Sequence, residues 1–305
     1  MSELGKMLLI VNPKAGRGKA AAAMPEIETC LARRGLDYEV VYTREAGDAA
    51  EVAGEAARAG MALLVAVGGD GTIHEVVNGM IQDDRPIHPE ATLGVVATGT
   101  GCDFIKTFGI PSMAPHAVAH LDGPDRFPID IGKVTFEVDG RRESRYFPNI
   151  AEVGLGAAVV ARAAKLPGWL GPTVYPAAFW LSLRGHRTTQ VKVDLVDRTY
   201  EGPMNNLVVA NCQFFGGGMK IAPRAAPTDG LFDVQIEHAR KREAIALMPR
   251  IYKGAHLPHA DITEAKRARL SITSERPLLV EADGEVLGHT PASFEVLRGA
   301  IHLKV

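Results

Sequence analysis

The chain has 305 residues, of which 46% are hydrophobic and 23% charged, and its formal net charge is -2. This composition is typical of a globular protein long enough for two domains, and the near-neutral charge argues against a nucleic-acid partner. The cysteines, Cys30, Cys102 and Cys212, form no CxxC pair, so we expect no disulfide framework and a cytoplasmic location. Because no run of about 18 apolar residues is present, any membrane contact should be peripheral.

The first third of the chain alternates short apolar strands with helical patterns. Strands are predicted at residues 6–11, 37–42, 62–67 and 93–96, and helices at 19–34, 47–59, 72–82 and 112–121. This alternation predicts an α/β domain with a parallel sheet covered on both faces. Ligands of such sheets bind beyond the carboxyl ends of the strands. The loops after Val11, Tyr42, Val67 and Val96 are therefore the candidate site.

The pattern changes near residue 130 to alternating runs typical of antiparallel strands. Residues 134–147 flank Asp139-Gly140, which predicts a hairpin. Further strands are predicted at 191–200, 206–210, 231–237, 269–273 and 277–281, and helices at 157–165, 173–187 and 240–253. We predict a first domain at 1–128, joined near residues 127–130 to an antiparallel β-sandwich domain with helical insertions at 129–305. The last strand is free to return to the first domain.

The first candidate loop, NPKAG (12–16), follows a buried strand and leads through Gly18 into a helix. Glycines before a helix N-terminus leave backbone N–H groups available to an anion. The spacing is not that of a P-loop. Taken alone, the loop is also compatible with a plain strand-to-helix turn.

The second loop, GGDGT (68–72), has more glycine than a turn requires. Gly68, Gly69 and Gly71 permit close approach of the backbone to a phosphate, and Thr72 can cap the following helix. Asp70 is placed to meet a metal ion or a ligand hydroxyl, although an Asp-Gly turn is the simpler interpretation.

The third loop, GTGCDF (99–104), again combines glycines with an acid. Gly99, Thr100 and Gly101 suit an anion, and Asp103 opens a short helix that is predicted to end at Gly109. Three such loops on one sheet edge are less expected by chance than any one of them.

In this order and spacing the three motifs resemble the diacylglycerol kinase catalytic-domain family, especially its soluble bacterial lipid kinases. These are related to the diacylglycerol, sphingosine and phosphatidylglycerol kinases. The resemblance continues through DIGKV (130–134), FPNIAEVGLGAAV (147–159), GGGMKIAPRAAPTDGLFDV (216–234) and EADGE (281–285). GGDGT also occurs in NAD kinases and phosphofructokinases, so the combination of motifs is the specific part.

The resemblance implies a nucleotide-binding domain at 1–128 and a lipid-substrate domain at 129–305, with ATP in the cleft. The residues that it places around the nucleotide are Asn12, Pro13, Lys14, Ala15, Gly16, Thr43, Gly68, Gly69, Asp70, Gly71, Thr72, Glu75 and Thr100. It also implies Mg²⁺ held by the Asp229 carboxylate and the main-chain carbonyls of Ala226 and Leu231. Oxygen-only ligands suit this hard cation.

For catalysis, the resemblance makes Glu285 the base that accepts the hydroxyl proton, with Asp283 beside it. Asp70 and Asp103 are the other acids assigned to the active site. From the residues alone, a hairpin turn at Asp283-Gly284 with a solvated glutamate is the favoured interpretation, and the resemblance reverses that preference. Two positions depart from the family: Ala97 replaces a proline and Cys102 an asparagine, so acceptor choice or activity could differ.

Residues 165–187 carry both tryptophans, Trp169 and Trp180, among apolar and basic side chains. Tyr175, Phe179 and Trp180 could contact acyl chains or a bilayer, with Arg184 and Arg187 toward phosphate head groups. Packing of this helix on the sandwich is the alternative.

Together these observations predict an ATP- and Mg²⁺-dependent kinase for a lipid hydroxyl, cytoplasmic and peripherally bound to membrane. Diacylglycerol, phosphatidylglycerol, sphingoid bases and ceramide remain open as acceptors. A kinase for a soluble acceptor such as NAD, and a regulator that binds nucleotide or lipid without turnover, are the alternatives. The oligomeric state, including a homodimer, is left open.

Overall fold

The chain folds as two compact units. The computed structural model describes residues 5–98, 101–112, 116–239 and 241–305, with residues 168, 169, 172 and 241 described by backbone alone. One unit consists of Met1–Ile131 with Leu297–Val305, and the other of Gly132–Val296. The division lies close to the boundary predicted between residues 128 and 129. The expected connection at 127–130 is part of a long strand, which corrects that detail.

The secondary-structure elements are numbered in chain order. The strands are β1 (Met7–Val11), β2 (Tyr38–Tyr42), β3 (Leu63–Gly68), β4 (Ile81–Gln82), β5 (Arg85–Pro86), β6 (Thr92–Ala97), β7 (Arg126–Val138), β8 (Arg141–Phe147), β9 (Ile150–Gly154), β10 (Thr189–Asp194), β11 (Thr199–Met204), β12 (Asn206–Ala210), β13 (Phe232–Glu237), β14 (Ile262–Arg267), β15 (Arg269–Ser274), β16 (Leu279–Ala282) and β17 (Glu285–Lys304). The α-helices are α1 (Lys19–Arg33), α2 (Asp48–Arg58), α3 (Asp70–Met80), α4 (Phe104–Phe108), α5 (Leu155–Ala163), α6 (Val174–Gly185) and α7 (Lys241–Tyr252). Two 3₁₀ helices span His116–Leu121 and Gly168–Thr173.

The first unit contains a parallel sheet with strand order β17, β6, β3, β1, β2, in which only the end of β17 takes part. Strands β1, β3 and β6 are buried along their whole length, as continuous apolar runs in a covered sheet require. Their ends are in register, since Val11 pairs with Val67 and Gly68 pairs with Ala97. The loops that follow these strands therefore begin at one edge of the sheet.

Helices α2 and α3 pack through small residues. A Cβ atom on Gly79 would lie 2.2 Å from the Ala50 carbonyl oxygen and 2.7 Å from Ala53 Cβ. The absence of a side chain at this position lets the two helix backbones approach. This contact holds α3, which begins within the GGDGT motif, against the rest of the unit.

The second unit is a sandwich of antiparallel strands that share β17. One layer has the order β14, β13, β12, β9, β16, β17, and the other has the order β11, β10, β15, β17, β7, β8. Its core includes Phe147, stacked on Phe232 at 5.5 Å between ring centroids and edge-on to Phe294 at 6.4 Å. Gly132 leaves room for Phe147, because a Cβ there would lie 2.3 Å from the Phe147 ring. The predicted fold class is thus confirmed for both units.

Some predicted elements are wrong in detail. The single strand predicted at 191–200 is two strands, β10 and β11, because the chain reverses at Val196, which has φ 74. The Asp194 carboxylate accepts a hydrogen bond from the Val196 N–H at 2.8 Å and closes this turn. The predicted helix at 112–121 is a 3₁₀ helix over His116–Leu121, and residues 113–115 lie outside the described part. Strands β9 and β14 were not expected. The last strand, β17, which was left free to return to the first domain, pairs with β6 at its end.

The contact between α2 and α3 gives a stability prediction. Gly79→Ala should lower the free energy of unfolding by about 1–3 kcal/mol or more, because the new methyl group overlaps the Ala50 carbonyl. Gly71→Ala, in the same helix but with open space around its Cβ, should change it by less than about 1 kcal/mol. Urea unfolding of both variants provides the measurement. Equal stability of the two variants would contradict the packing argument.

Candidate active site

The loops after β1, β3 and β6 are joined by backbone hydrogen bonds. The Asn12 N–H donates to the Val67 carbonyl at 3.1 Å, and the Thr98 N–H donates to the Gly68 carbonyl at 3.2 Å. The loop after β2 joins the same edge, since the Thr43 N–H donates to the carbonyl of the last residue of β1 at 2.9 Å. The described starts of these loops therefore lie at one edge of the sheet in the first unit. Gly99 and Thr100 lie outside the described residues.

The NPKAG turn is shaped by its own side chains. The Asn12 side-chain oxygen accepts the Lys14 N–H at 3.1 Å, and the Ala15 N–H donates to the Asn12 carbonyl at 3.0 Å. Gly16 has φ +60, and a Cβ there would lie 3.4 Å from the Thr98 carbonyl oxygen. Pro13 is half-buried within the turn. The first loop thus passes directly beside the end of β6.

Basic side chains surround this turn. Lys14, Arg17 and Lys19 are exposed, and the Lys14 ammonium donates to the Arg44 carbonyl at 3.2 Å. A cluster of cations beside glycine-rich loops suits a polyanionic ligand.

The GGDGT motif spans the end of β3 and the first turn of α3. Gly68 must lack a side chain, because a Cβ would lie 2.3 Å from Thr72 Oγ1. Thr72 is 3% exposed, and its hydroxyl makes no hydrogen bond with any described residue. Thr98 Oγ1 is likewise buried without a described partner. The Thr72 hydroxyl is thus an unpaired hydrogen-bonding group in the first turn of α3, near the positive end of that helix.

Asp70 connects the second and third loops. Its carboxylate accepts the N–H of Asp103 at 2.9 Å and the N–H of Phe104 at 3.0 Å. The Cys102 thiol also donates to it, at 3.5 Å. Asp70 therefore positions the start of α4, a role that sequence reasoning did not foresee.

Cys102 and Asp103 are buried beside Asp70. Burial and the Asp70 charge hold the pKa of the Cys102 thiol well above its usual value, so the thiol remains a donor. The side chain at position 102 is thus a thiol that points at the Asp70 carboxylate, and a thiol is a weaker hydrogen-bond donor than an asparagine amide. Asp103 is 2% exposed, and its carboxylate pairs with the Lys106 ammonium at 2.6 Å.

Glu75 belongs to the same region but faces α2. Its carboxylate accepts the Ala49 N–H at 3.1 Å, where a negative charge stabilises the N-terminus of that helix. Thr43 is 8% exposed at the end of β2. Nucleotide contact by either residue stays a prediction.

In the second unit, EADGE forms a tight hairpin between β16 and β17. Asp283 has φ 50 and Gly284 has φ 88, the positive values that a two-residue hairpin turn requires. Asp283 Oδ1 accepts the N–H of Asn149 at 3.2 Å and of Ile150 at 3.0 Å. Glu285 is exposed at the start of β17. Asp283 thus fixes the hairpin to the segment before β9, and Glu285 is the member of the pair that remains accessible.

A buried acid network lies beneath this hairpin and was missed from the sequence. Glu152 on β9 and Glu281 on β16 are directly paired across the strands and are 3% and 2% exposed. Asn206 Nδ2 donates to Glu152 Oε1 at 2.8 Å, and Glu281 Oε2 accepts the Gly284 N–H at 2.9 Å. The sequence did contain a signal for this network, since Glu152 and Glu281 each lie inside an otherwise apolar strand.

Burial changes the protonation of these acids. Desolvation raises the pKa of Glu152 to about 7, although its bond from Asn206 opposes the shift. Desolvation and the neighbouring Glu152 charge raise the pKa of Glu281 well above its usual value and that of Glu237 to about 8. Burial therefore favours the protonated forms of Glu152 and Glu281 beneath the hairpin that carries Glu285.

The predicted metal-binding turn is closed by hydrogen bonds. The Ala226 carbonyl accepts the N–H groups of Thr228 at 2.7 Å and Asp229 at 3.2 Å. Asp229 Oδ1 accepts the Leu231 N–H at 2.9 Å, and Oδ2 pairs with the Lys266 ammonium at 3.0 Å. No cluster of three or more His, Cys, Asp or Glu side chains suited to a metal ion occurs in the part of the chain that the structure describes. The donors at this turn are all oxygens, the type that Mg²⁺ prefers.

Helix α6 presents an apolar surface. Tyr175, Trp180 and Leu181 are exposed by 47%, 55% and 46%, whereas Ala178 and Leu183 are buried. Trp169 lies outside the described side chains. Among the described residues, no helix has the length and apolar character needed to cross a bilayer.

Comparison with protein families gives two matches. Residues 6–134 match the family described as "Diacylglycerol kinase catalytic domain". Residues 149–305 match the "YegS C-terminal NAD kinase beta sandwich-like domain".

Similar proteins are aligned over nearly the whole chain. The diacylglycerol kinase of Bacillus subtilis is 32% identical over 300 residues, which cover 97% of this chain and 94% of the relative. That of Mycobacterium tuberculosis is 28% identical over 309 residues, covering 99% and 95%. The crystal structure of a diacylglycerol kinase from Bacillus anthracis has a TM-score of 0.73 and 25% identity, covering 100% of this chain and 98% of that one. Yeast NADH kinase, with a TM-score of 0.51, 11% identity and coverage of 99% and 83%, shares the fold alone.

The buried acid network predicts a pH-dependent stability. Because the pKa of Glu152 is about 7 in the folded protein against 4.5 ordinarily, the folded state binds more protons between these values. Stability is therefore greatest at low pH within this window and falls as the pH rises toward 7. Glu152→Gln keeps the hydrogen bond from Asn206. This substitution should reduce the loss of unfolding free energy between pH 5 and pH 7 by about 1–3 kcal/mol.

Chemical unfolding at a series of pH values measures this effect. Glu275→Gln, at an exposed position of the same unit, should retain the wild-type pH dependence. If the free energy of unfolding of Glu152→Gln varied with pH as it does in the wild type, the Glu152 carboxyl would be ionised in the folded wild-type protein.

Proposed function

The chain belongs to the diacylglycerol kinase catalytic-domain family, and on that premise we propose that it transfers the γ-phosphoryl group of ATP to a hydroxyl of a membrane lipid. The family resemblance and the class of activity, phosphoryl transfer to an alcohol group, are confirmed. The identity of the acceptor is what we propose: a diacylglycerol-like lipid, phosphatidylglycerol or a sphingoid base.

The observation that carries the proposal is the joining of three glycine-rich loops around α3. Asp70 holds the third loop against the second, and the buried Thr72 hydroxyl remains unpaired among the described residues. Phosphoryl transfer depends mainly on positioning and charge neutralisation, which preformed loops with nearby cations supply. The residues proposed to surround the nucleotide are Asn12, Pro13, Lys14, Ala15, Gly16, Thr43, Gly68, Gly69, Asp70, Gly71, Thr72, Glu75 and Thr100.

Glu285 is the proposed base for the acceptor hydroxyl. It is the exposed acid of a hairpin whose other acid, Asp283, is bound to backbone N–H groups. Asp70 and Asp103 act in the proposal by fixing the loops around the phosphates.

Mg²⁺ is proposed as the second cofactor. The Asp229 carboxylate and the carbonyls of Ala226 and Leu231 would hold it, and they offer only oxygen donors. When bound, the ion supplies positive charge that offsets the carboxylates of this turn.

A lipid panel tests the proposed function. The protein is incubated with MgATP and mixed vesicles containing each candidate lipid, and the extracted lipids are analysed by mass spectrometry. A phosphorylated lipid is expected, and a parallel reaction with NAD should give no product. Phosphorylation of NAD alone would favour the soluble-acceptor alternative, and ATP binding without any product would favour a regulator.

Replacement of the proposed base gives a sharper prediction. Glu285→Ala should lower kcat by about 100-fold or more, because the acceptor hydroxyl loses its proton acceptor. Glu295→Ala, at an exposed position of the same strand, should retain wild-type turnover. Steady-state kinetics on the identified lipid provide the measurement, with ATP binding as the check that the fold is intact. Comparable turnover in the two variants would remove Glu285 from the proposed role.

Helix α6 is the proposed membrane contact. Residues 153–193 contain no Asp or Glu but include Arg162, Lys165, Arg184, Arg187 and Lys192. An acid-free segment with exposed Trp180 and Leu181 has the charge and apolar surface that an anionic bilayer attracts.

Vesicle binding tests this surface. Trp180→Ser should weaken binding to phosphatidylglycerol-containing vesicles by about tenfold, since the indole no longer enters the interface. Tyr252→Ser removes a comparably exposed aromatic side chain from α7 and should have little effect. Co-sedimentation measures both variants. An equal effect of the two substitutions would exclude α6 as the specific contact.

A further inference from the structure

Lys266 occupies the centre of an oxygen cluster on the second unit. It lies on β14, directly across from Asp233 on β13. Its ammonium nitrogen is 3.0 Å from Asp229 Oδ2, 3.1 Å from Asp233 Oδ2 and 3.3 Å from the Arg224 carbonyl oxygen. Three oxygens thus surround one cation supplied by the chain.

Two further oxygens of this turn accept hydrogen bonds from the backbone. Asp229 Oδ1 accepts the Leu231 N–H, and the Ala226 carbonyl accepts two backbone N–H groups. The guanidinium of Arg224 pairs instead with Glu264. Lys266 is therefore the side-chain cation that serves both Asp229 and Asp233.

The burial of Asp233 makes this pairing more than a surface contact. Its side chain is 13% exposed, against 41% for Lys266. A nearby cation stabilises a carboxylate so far removed from water, whereas an exposed ion pair contributes little. Lys266 thus supplies a counter-charge to Asp233, although Asp233 Oδ2 accepts no hydrogen bond from any described residue.

We infer that Lys266 is a built-in counter-cation that competes with a divalent ion for the Asp229 turn. The ammonium and the ion would share the Asp229 carboxylate and repel each other, so the ion binds only when Lys266 moves away. The second unit then keeps this turn folded without metal, and divalent binding is weak. The inference rests on the proposed Mg²⁺ site but not on the identity of the lipid acceptor.

The test compares Lys266→Met with a matched control, Lys192→Met. Lys192 is also a lysine on a strand of the second unit, and it pairs with Glu201 at 2.8 Å. Each full-length protein is melted without nucleotide or lipid, in millimolar EDTA, MgCl₂ or CaCl₂, and titrated with each ion by calorimetry. Because no substrate is present, the outcome is independent of the proposed kinase reaction.

For wild-type protein and for Lys192→Met, the melting temperature should change little between EDTA and either salt, because the site binds a divalent ion only weakly. Lys266→Met should melt at a lower temperature in EDTA, regain stability with Mg²⁺ or Ca²⁺, and bind the ion about tenfold or more tightly than wild type. Lys266→Arg, which retains the charge, should behave as wild type.

Two results would overturn the inference. One is stabilisation of the wild-type protein by divalent ions with loss in EDTA, which is measurable even if Lys266→Met fails to fold. The other is a folded Lys266→Met variant that gains no affinity for either ion.

Discussion

The carboxylate of Asp70 holds together the part of the first unit on which the proposed chemistry depends. It lies at the start of α3 and accepts the N–H groups of Asp103 and Phe104, so the beginning of α4 cannot move independently of GGDGT. A half-buried acid is favourable here because backbone N–H groups donate to it at close range. The arrangement leaves the Thr72 hydroxyl, rather than the Asp70 carboxylate, without a described partner. Asp70 therefore fixes the geometry of these loops, and the neighbouring residues, Thr72 among them, are the ones left to bind a ligand.

The hairpin of the second unit follows the same physical logic. Asp283 also follows a strand, precedes a glycine and accepts two backbone N–H groups from a distant segment. Glu285, two residues further on, is left exposed. In both of these Asp-Gly sequences, at residues 70–71 and 283–284, the aspartate carboxylate holds a distant backbone segment in place. A family motif therefore mixes residues that position with residues that react, and only hydrogen-bond partners separate the two kinds.

Charge in the second unit is balanced internally in two different ways. Glu152 and Glu281 face each other across paired strands, and their burial favours the protonated forms. Asp229 and Asp233 instead keep a counter-cation, Lys266, on the neighbouring strand. The difference accompanies exposure, because Glu152 and Glu281 are 3% and 2% exposed whereas the side chains of Lys266 and Asp229 are 41% and 32% exposed. Both arrangements support segments that the resemblance assigns to catalysis or metal binding.

The local sequence pattern was sufficient to predict the buried parallel strands and the Asp139-Gly140 hairpin, and to locate the three glycine-rich loops. Each of these features depends on residues that are adjacent in the chain. It failed at Val196, where a β-branched residue with positive φ reverses the chain inside an apolar run. It also could not anticipate that Glu152 meets Glu281, or that Asp70 meets Phe104. Those contacts join segments far apart in sequence, so strand pairing and loop packing decide them. The amino-acid sequence by itself determined the family, the fold class and the candidate residues; tertiary structure alone decided which acids are neutralised by backbone, proton or lysine, because burial and partners are properties of the folded chain.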